Sequence, residues 1–143
     1  MLYFDTSFLA PLILAEATSE KIERLMSRLP AGELAVSHWT RVEFSSLLAC
    51  EVRMGGLAAE AARQADAQFE AMVAESFVVW PPVAADFEMA KQHLARFETG
   101  LRAGDALHLA IAANNKAEKV YSLDKGMAKA GKMLGLRMGG GRM

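Results

Sequence analysis

Apolar positions along this chain alternate between short runs and helical stripes, and that alternation predicts strands separated by helices. Leu2-Tyr3-Phe4 is an apolar run ending in Asp5, Thr6 and Ser7, as expected of a first strand whose end caps a following helix. Ile22, Leu25, Met26 and Leu29 fall at i, i+3, i+4 and i+7. Glu20 and Glu23 suit the positive end of that helix, and Pro30 with Gly32 stops it. Leu34-Ala35-Val36-Ser37 predicts a second strand. Val42, Leu47 and Leu48 belong to a helix ending near Gly55 and Gly56, and Leu57, Ala61, Ala65, Phe69, Met72 and Val73 stripe the next, so the two form a helical hairpin.

Phe77-Val78-Val79-Trp80 is a third strand closed by Pro81 and Pro82, and Phe87, Ala90, Leu94 and Phe97 stripe a helix that runs out near Gly100. Ala106 to Ala113 is apolar on almost every side, which predicts a buried central helix with Asp105 at its mouth. Lys119-Val120-Tyr121-Ser122 is a fourth strand, Lys125 to Leu134 a last helix, and Gly135-Leu136-Arg137-Met138 an edge strand. The fold class is α/β, with a central parallel sheet of four to five strands between helical layers. Residues 1–138 form one domain, and 139–143 a flexible Gly-rich tail.

Composition narrows the setting. A chain of 143 residues with 52% hydrophobic content supports one core. Cys50 is the only cysteine, which excludes an intrachain disulfide and a cysteine-based zinc cluster and suits a reduced, cytoplasmic protein. The apolar stretch Phe8 to Ala15 contains Pro11 and is too short to span a bilayer, so no membrane association is expected. Net charge is −1, yet from Lys116 onward seven basic residues face only Glu118 and Asp124. Lys125, Lys129 and Lys132 are either a solvated helix face or a strip that contacts nucleic-acid phosphates.

The candidate chemistry lies in four acids: Asp5, Glu43, Asp105 and Asp124. Singly, each has a structural reading. Asp5, Asp105 and Asp124 suit helix N-caps, and Glu43 follows Thr40 by three residues, the spacing of a capping box. Together they tell otherwise, because strand ends on one edge of a parallel sheet converge. Carboxylates within about 4 Å repel by roughly 4 kcal/mol at an effective dielectric near 20. Oxygen ligands gathered in this way suit a hard divalent cation, Mg2+ or Mn2+. His108, three residues after Asp105, reads as a hydrogen-bonded core histidine, and His38 and His93 have no metal spacing. Trp39 and Trp80 adjoin strand ends and read as packed.

Leu2-Tyr3-Phe4-Asp5-Thr6-Ser7, Glu43, Arg102 to Ala112 and Ser122-Leu123-Asp124 followed by Gly135-Leu136 resemble, in order and spacing, the acidic signature of PIN-domain ribonucleases. The short single-domain layout is similar to the VapC toxin branch. The resemblance implies a PIN-like three-layer α/β/α fold and a metal-dependent endoribonuclease that cleaves single-stranded RNA. Asp5 and Asp105 would be direct ligands, with Glu43 and Asp124 completing the site directly or through water. Thr6, Ser7 and Ser122 would support it; Ser122 stands where the family often has threonine and keeps the hydroxyl. A VapB-like antitoxin partner and a homodimer are implied as well. Two other readings stay open: a catalytically silent PIN-like protein-binding module, and a receiver-like phosphoacceptor domain, which wants a paired acid at strand one and an acceptor aspartate ending a central strand.

Overall fold

The structure is a computed structural model that describes residues 1–140. Its elements are β1 (Leu2–Phe4), α1 (Thr6–Leu9) continued by a 3-10 turn, α2 (Ser19–Arg28), β2 (Leu34–Ser37), α3 (His38–Arg53), α4 (Ala59–Ser76), β3 (Val78–Trp80), α5 (Ala84–Ala95), α6 (Ala103–Asn114), β4 (Lys119–Tyr121), α7 (Lys125–Met133) and β5 (Met138–Gly139). The five strands are all parallel, in the order β3-β2-β1-β4-β5. Chain connections diverge on either side of the β1/β4 pair, so the sheet has its switch point there, where open α/β sheets bind ligands. A receiver domain would have the order 2-1-3-4-5. Here β3 is an edge strand that runs into Pro81 without an acid, and the receiver-like reading is set aside on topology.

Strand side chains alternate between two cores. Leu2, Phe4 and Val36 face one layer with Ile22, Phe44 and Phe69, where Phe44 and Phe69 stack at 4.1 Å and join α3 to α4. Tyr3, Ala35 and Val120 face the other with Leu109, Ile111 and Met127. Truncating a fully buried phenylalanine such as Phe44 or Phe69 to alanine would cost about 3–5 kcal/mol. Ala106 to Ala112 are all buried, so α6 is the central helix its composition predicted. No helix among the described residues is long and apolar enough to cross a membrane.

Five local expectations are corrected. The capping box of α3 joins Ser37 to Thr40, not Thr40 to Glu43, because β2 passes into α3 without a loop and the cap falls one turn earlier. Val42 on that helix is exposed, and the buried stripe is Thr40, Phe44 and Leu48. On α5 it is Asp86 that is buried and Phe87 that faces outward; Asp86 accepts from the Val83 N–H and from Asn114, which turns the helix by one position. Phe97 likewise leaves the stripe, exposed in a 3-10 turn after α5 ends. Finally, β5 is Met138–Gly139 and not 135–138, so the sheet extends into the stretch assigned to the tail. Gly140, at φ +93°, sits where a Cβ would meet the Ser122 carbonyl at 2.8 Å and the Phe8 ring at 2.9 Å. Residues 141–143 of that stretch lie outside the described residues.

Candidate active site

All four acids line one cleft of about 350 Å3 at the carboxyl ends of the strands, together with Thr6, Ser7, Ser46, Leu47 and Cys50. A smaller recess of about 240 Å3 continues from Asp105 and Asp124 toward Arg102, Gly126 and Met127. A roomier one of about 460 Å3 adjoins across Leu47, but its acids are Glu16 and Glu51 and it contains none of the four.

Asp5 follows β1 directly and caps α1, and only 3% of it is exposed. Its Oδ1 accepts the Phe8 N–H at 3.0 Å and the Ser7 hydroxyl at 2.8 Å, while Oδ2 accepts the Ser122 hydroxyl at 2.6 Å. Burial raises its pKa above the usual carboxylate value. These hydrogen bonds, and His108 when its ring is protonated, oppose that rise without cancelling it. Ser7 Oγ in turn accepts the Leu123 N–H at 3.0 Å, and Ser122 Oγ the Asp124 N–H at 3.0 Å. The two serines therefore brace β1 against the β4–α7 turn that carries Asp124. Asp124 is exposed and caps α7 through the Met127 N–H at 3.0 Å.

Glu43 lies well inside α3, on the face toward the cleft, and is half-buried. Its Oε1 accepts the Thr6 hydroxyl at 2.7 Å and a short hydrogen bond from His108 Nε2. Burial alone would raise its pKa, but the hydrogen bond from His108, the charge of that ring when protonated, and the Thr6 hydroxyl outweigh it and hold the carboxyl below its usual value. Gly104 opens α6 beside it. A Cβ there would meet Glu43 Oε2 at 3.0 Å and Trp39 at 3.4 Å, and Trp39 donates its indole N–H to the Gly104 carbonyl at 3.1 Å.

Asp105 is not a cap. Arg102 occupies the N-cap position, and Asp105 is the third residue of α6, half-buried and without a hydrogen-bond partner among the described residues. Burial and then the charge of Asp124 push its pKa to about 6. His108 lowers it, and Asp5 and Glu43 add smaller upward contributions. That value records burial first and the neighbouring like charges second.

His108 is buried and hydrogen-bonded at both ring nitrogens, as a core histidine should be, yet one partner is an acid of the site. Its link to Glu43, and the Tyr3 hydroxyl behind it, were not expected. The only hint is the three-residue spacing from Asp105, which puts Asp105 and His108 one turn apart on α6. Trp80 stacks on Tyr3 at 5.7 Å and is packed, as expected. Lys125, Lys129 and Lys132 are exposed at i, i+4 and i+7 on α7, the helix that Asp124 caps.

The donor set suits a hard cation in kind: all oxygen, negative in sum, with Asp105 and one oxygen each of Asp124 and Glu43 unengaged by the protein. Among the described residues, however, no three His, Cys, Asp or Glu side chains are spaced to hold a metal ion by themselves. The open spacing fits an ion such as Mg2+, which keeps several waters and takes only one or two carboxylates directly.

Fold and site together define an α/β protein with an acidic crevice at the switch point of a parallel sheet. The family model of the PIN domain matches residues 2–133, and the chain belongs to that family. Among solved structures it is similar to VapC20 of Mycobacterium tuberculosis, described as a toxin that cleaves the sarcin-ricin loop. The two are 25% identical, with a TM-score of 0.71 over 92% of this chain and 95% of that one. FitAcB from Neisseria gonorrhoeae (16% identity, TM-score 0.71, 96% of each chain) and VapBC-1 from nontypeable Haemophilus influenzae (16%, 0.69, 97% of each) share the fold. No curated protein matches by sequence.

Proposed function

We propose that this protein is a Mg2+- or Mn2+-dependent endoribonuclease and the toxin of a VapC-type toxin-antitoxin pair. The observation that carries the reading is the cleft itself, where four carboxylates from separate parts of the chain meet and their mutual charge helps to raise the pKa of Asp105 to about 6. Membership of the PIN family and the likeness to VapC20 agree with it.

Asp5 and Asp105 would hold the cation, with Glu43 and Asp124 completing the set directly or through water. When bound, the cation supplies an activated water and stabilises the leaving oxygen of the phosphodiester. Ser7 and Ser122 fix both oxygens of Asp5, and Thr6 helps to fix Glu43. Lys125, Lys129 and Lys132 would contact RNA phosphates beside the cleft, and a homodimer would bring two such strips across one groove. Neighbours described as VapBC or toxin-antitoxin complexes support a VapB-like antitoxin partner, and by the family resemblance its extended or helical segment would occupy the groove. The lone thiol, Cys50, suits a reduced cytoplasmic setting.

RNA incubated with the protein in Mg2+ or Mn2+ should be cut, and EDTA should stop the reaction. Asp5→Asn and Asp105→Asn should each lose the cleavage while keeping the fold. A second reading, a silent binding module, draws on Asp5 and Asp124 both serving as caps. Intact RNA after incubation of the folded parent with Mn2+ would favour it, and full activity in either variant would undo the site assignment.

A further inference from the structure

We propose that Tyr3 and His108 are positioning residues of the acidic site: a buried chain of hydrogen bonds, Ser37 to Tyr3 to His108 to Glu43, fixes one imidazole tautomer and orients the Glu43 carboxylate. The kinetic consequence of this inference rests on the nuclease reading, whereas the network itself does not.

Direction follows from what each atom can donate. Glu43 is ionised and only accepts, so His108 Nε2 must carry a proton toward Oε1. In a neutral ring with Nε2–H so filled, Nδ1 is an acceptor, and the one donor facing it is the Tyr3 hydroxyl at 2.7 Å. Having spent its proton, the Tyr3 oxygen is free to accept from the Ser37 hydroxyl at 2.8 Å. Ser37 and Thr40 are held in place by their own capping box, and Thr40 Oγ1 lies 3.4 Å from Tyr3 as well. Every polar atom of the chain thus has a partner, inside a region where Tyr3 and Ser37 are wholly buried and His108 is 1% exposed. A buried network with all members satisfied holds a single arrangement, because any rotation strands a donor or acceptor.

The location gives this network its role. Tyr3 is on β1, two residues before Asp5, and His108 is one turn after Asp105 on α6. Ser37 and Thr40 open α3, which carries Glu43. One node therefore ties together the three elements that bring three of the acids to the cleft. Trp80 stacked flat on the Tyr3 ring, at an interplanar angle of 4°, holds the phenol from the other side. An outer hydrogen bond that fixes a ligand's ring or carboxylate commonly changes metal affinity or activity 10–100-fold when removed.

Two measurements test it. In the metal-free protein at pH 8.5, nitrogen-resolved NMR of the three imidazoles should show His108 as a single Nε2–H tautomer with a slowly exchanging ring proton. Tyr3→Phe should shift its Nδ1 resonance. A Nδ1–H form, a mixture of tautomers or a doubly protonated ring would overturn the network, whether or not the protein cuts RNA. The second measurement compares His108→Gln, whose amide reaches the Nε2 position and keeps a donor for Glu43, with His108→Asn, whose amide reaches only the Nδ1 position. His108→Asn should lower kcat about 10–100-fold with KM for RNA unchanged, and His108→Gln should recover most of it. Equal losses in the two variants, or losses that follow only their melting temperatures, would show a merely structural histidine. A parent that fails to cut RNA in Mn2+ would refute the nuclease reading instead, leaving the NMR result to decide the network.

Discussion

Replacing Asp105 with asparagine should stabilise the metal-free protein at neutral pH, a direction opposite to that of most substitutions in a folded domain. The Asp105 carboxyl has its pKa raised from 3.8 to about 6, by burial first and the Asp124 charge second. A raised carboxylate is a penalty: below pH 4 both folded and unfolded chains hold the proton and nothing is lost. As pH rises from about 4 to 6 the unfolded chain releases its proton first, and above about 6 the full cost of the folded anion is present. At about 1.36 kcal/mol per pH unit the shift corresponds to roughly 3 kcal/mol, and partial exposure reduces this to roughly 1–2 kcal/mol. A carboxylate in the first turn of a helix gains about 0.3–1 kcal/mol from the helix dipole, too little to reverse the sign. Melts in EDTA should therefore show the variant and the parent close together near pH 4 and the variant higher by roughly 3–7 °C at pH 7.5. Adding Mn2+ should raise the parent, by about 1.4 kcal/mol at ten times its dissociation constant, and raise the variant less. A variant that melts below the parent at pH 7.5, with a gap that does not change with pH, would mean that Asp105 is an ordinary helix-start acid and that the cleft is not crowded with charge.

Neutralising Lys125, Lys129 and Lys132 together should weaken RNA binding and reduce the slope of log affinity against log salt by about 2, at roughly 0.7 per phosphate contact; an unchanged slope would make them solvated surface only. Gly104→Ala places a methyl 3.0 Å from Glu43 Oε2, so it should lower RNA cleavage while leaving the melting temperature unchanged or higher, since alanine favours helix by about 1 kcal/mol over glycine. Unaltered cleavage kinetics would show that the Glu43 carboxylate does not need its present position.

The sheet and the acids were legible because both leave local signals. Phe4 and Tyr121 end short apolar runs, and Asp5 and Asp124 follow them at once or nearly so; α6 is apolar on almost every side from Ala106 on, which marks it as central before any contact is known. Signals that depend on long-range partners were not legible. Asp86 is buried on α5 because Asn114, 28 residues on, supplies a donor, and no helical period foretells that. Gly139 and Gly140 read as a flexible stretch, yet the missing Cβ is what lets the chain lie against Tyr121, Ser122 and Phe8. Tyr3 and His108 are 105 residues apart, and each alone looks like an apolar-core residue.

Capping and ligation are not rival uses of these carboxylates. An ionised carboxylate has about four acceptor sites. Asp5 uses three on Phe8, Ser7 and Ser122, Glu43 uses two on Thr6 and His108, Asp124 uses one on Met127, and Asp105 uses none among the described residues. Asp124 has solvent to hydrate its free oxygen, whereas Asp105 is half-buried and has no donor at all among the described residues. Asp5 is thus the geometric anchor of the cleft, held by donors from α1 and the β4–α7 turn, with one acceptor site left for a cation. Asp105, with no donor and with acids around it, carries the largest uncompensated charge and has most to gain. A protein that only needed helix caps would have had no reason to leave an acid in that position, since an asparagine or a serine there would cost the fold less. The unsatisfied acid beside three braced ones is therefore what favours the proposed cation site over a set of caps.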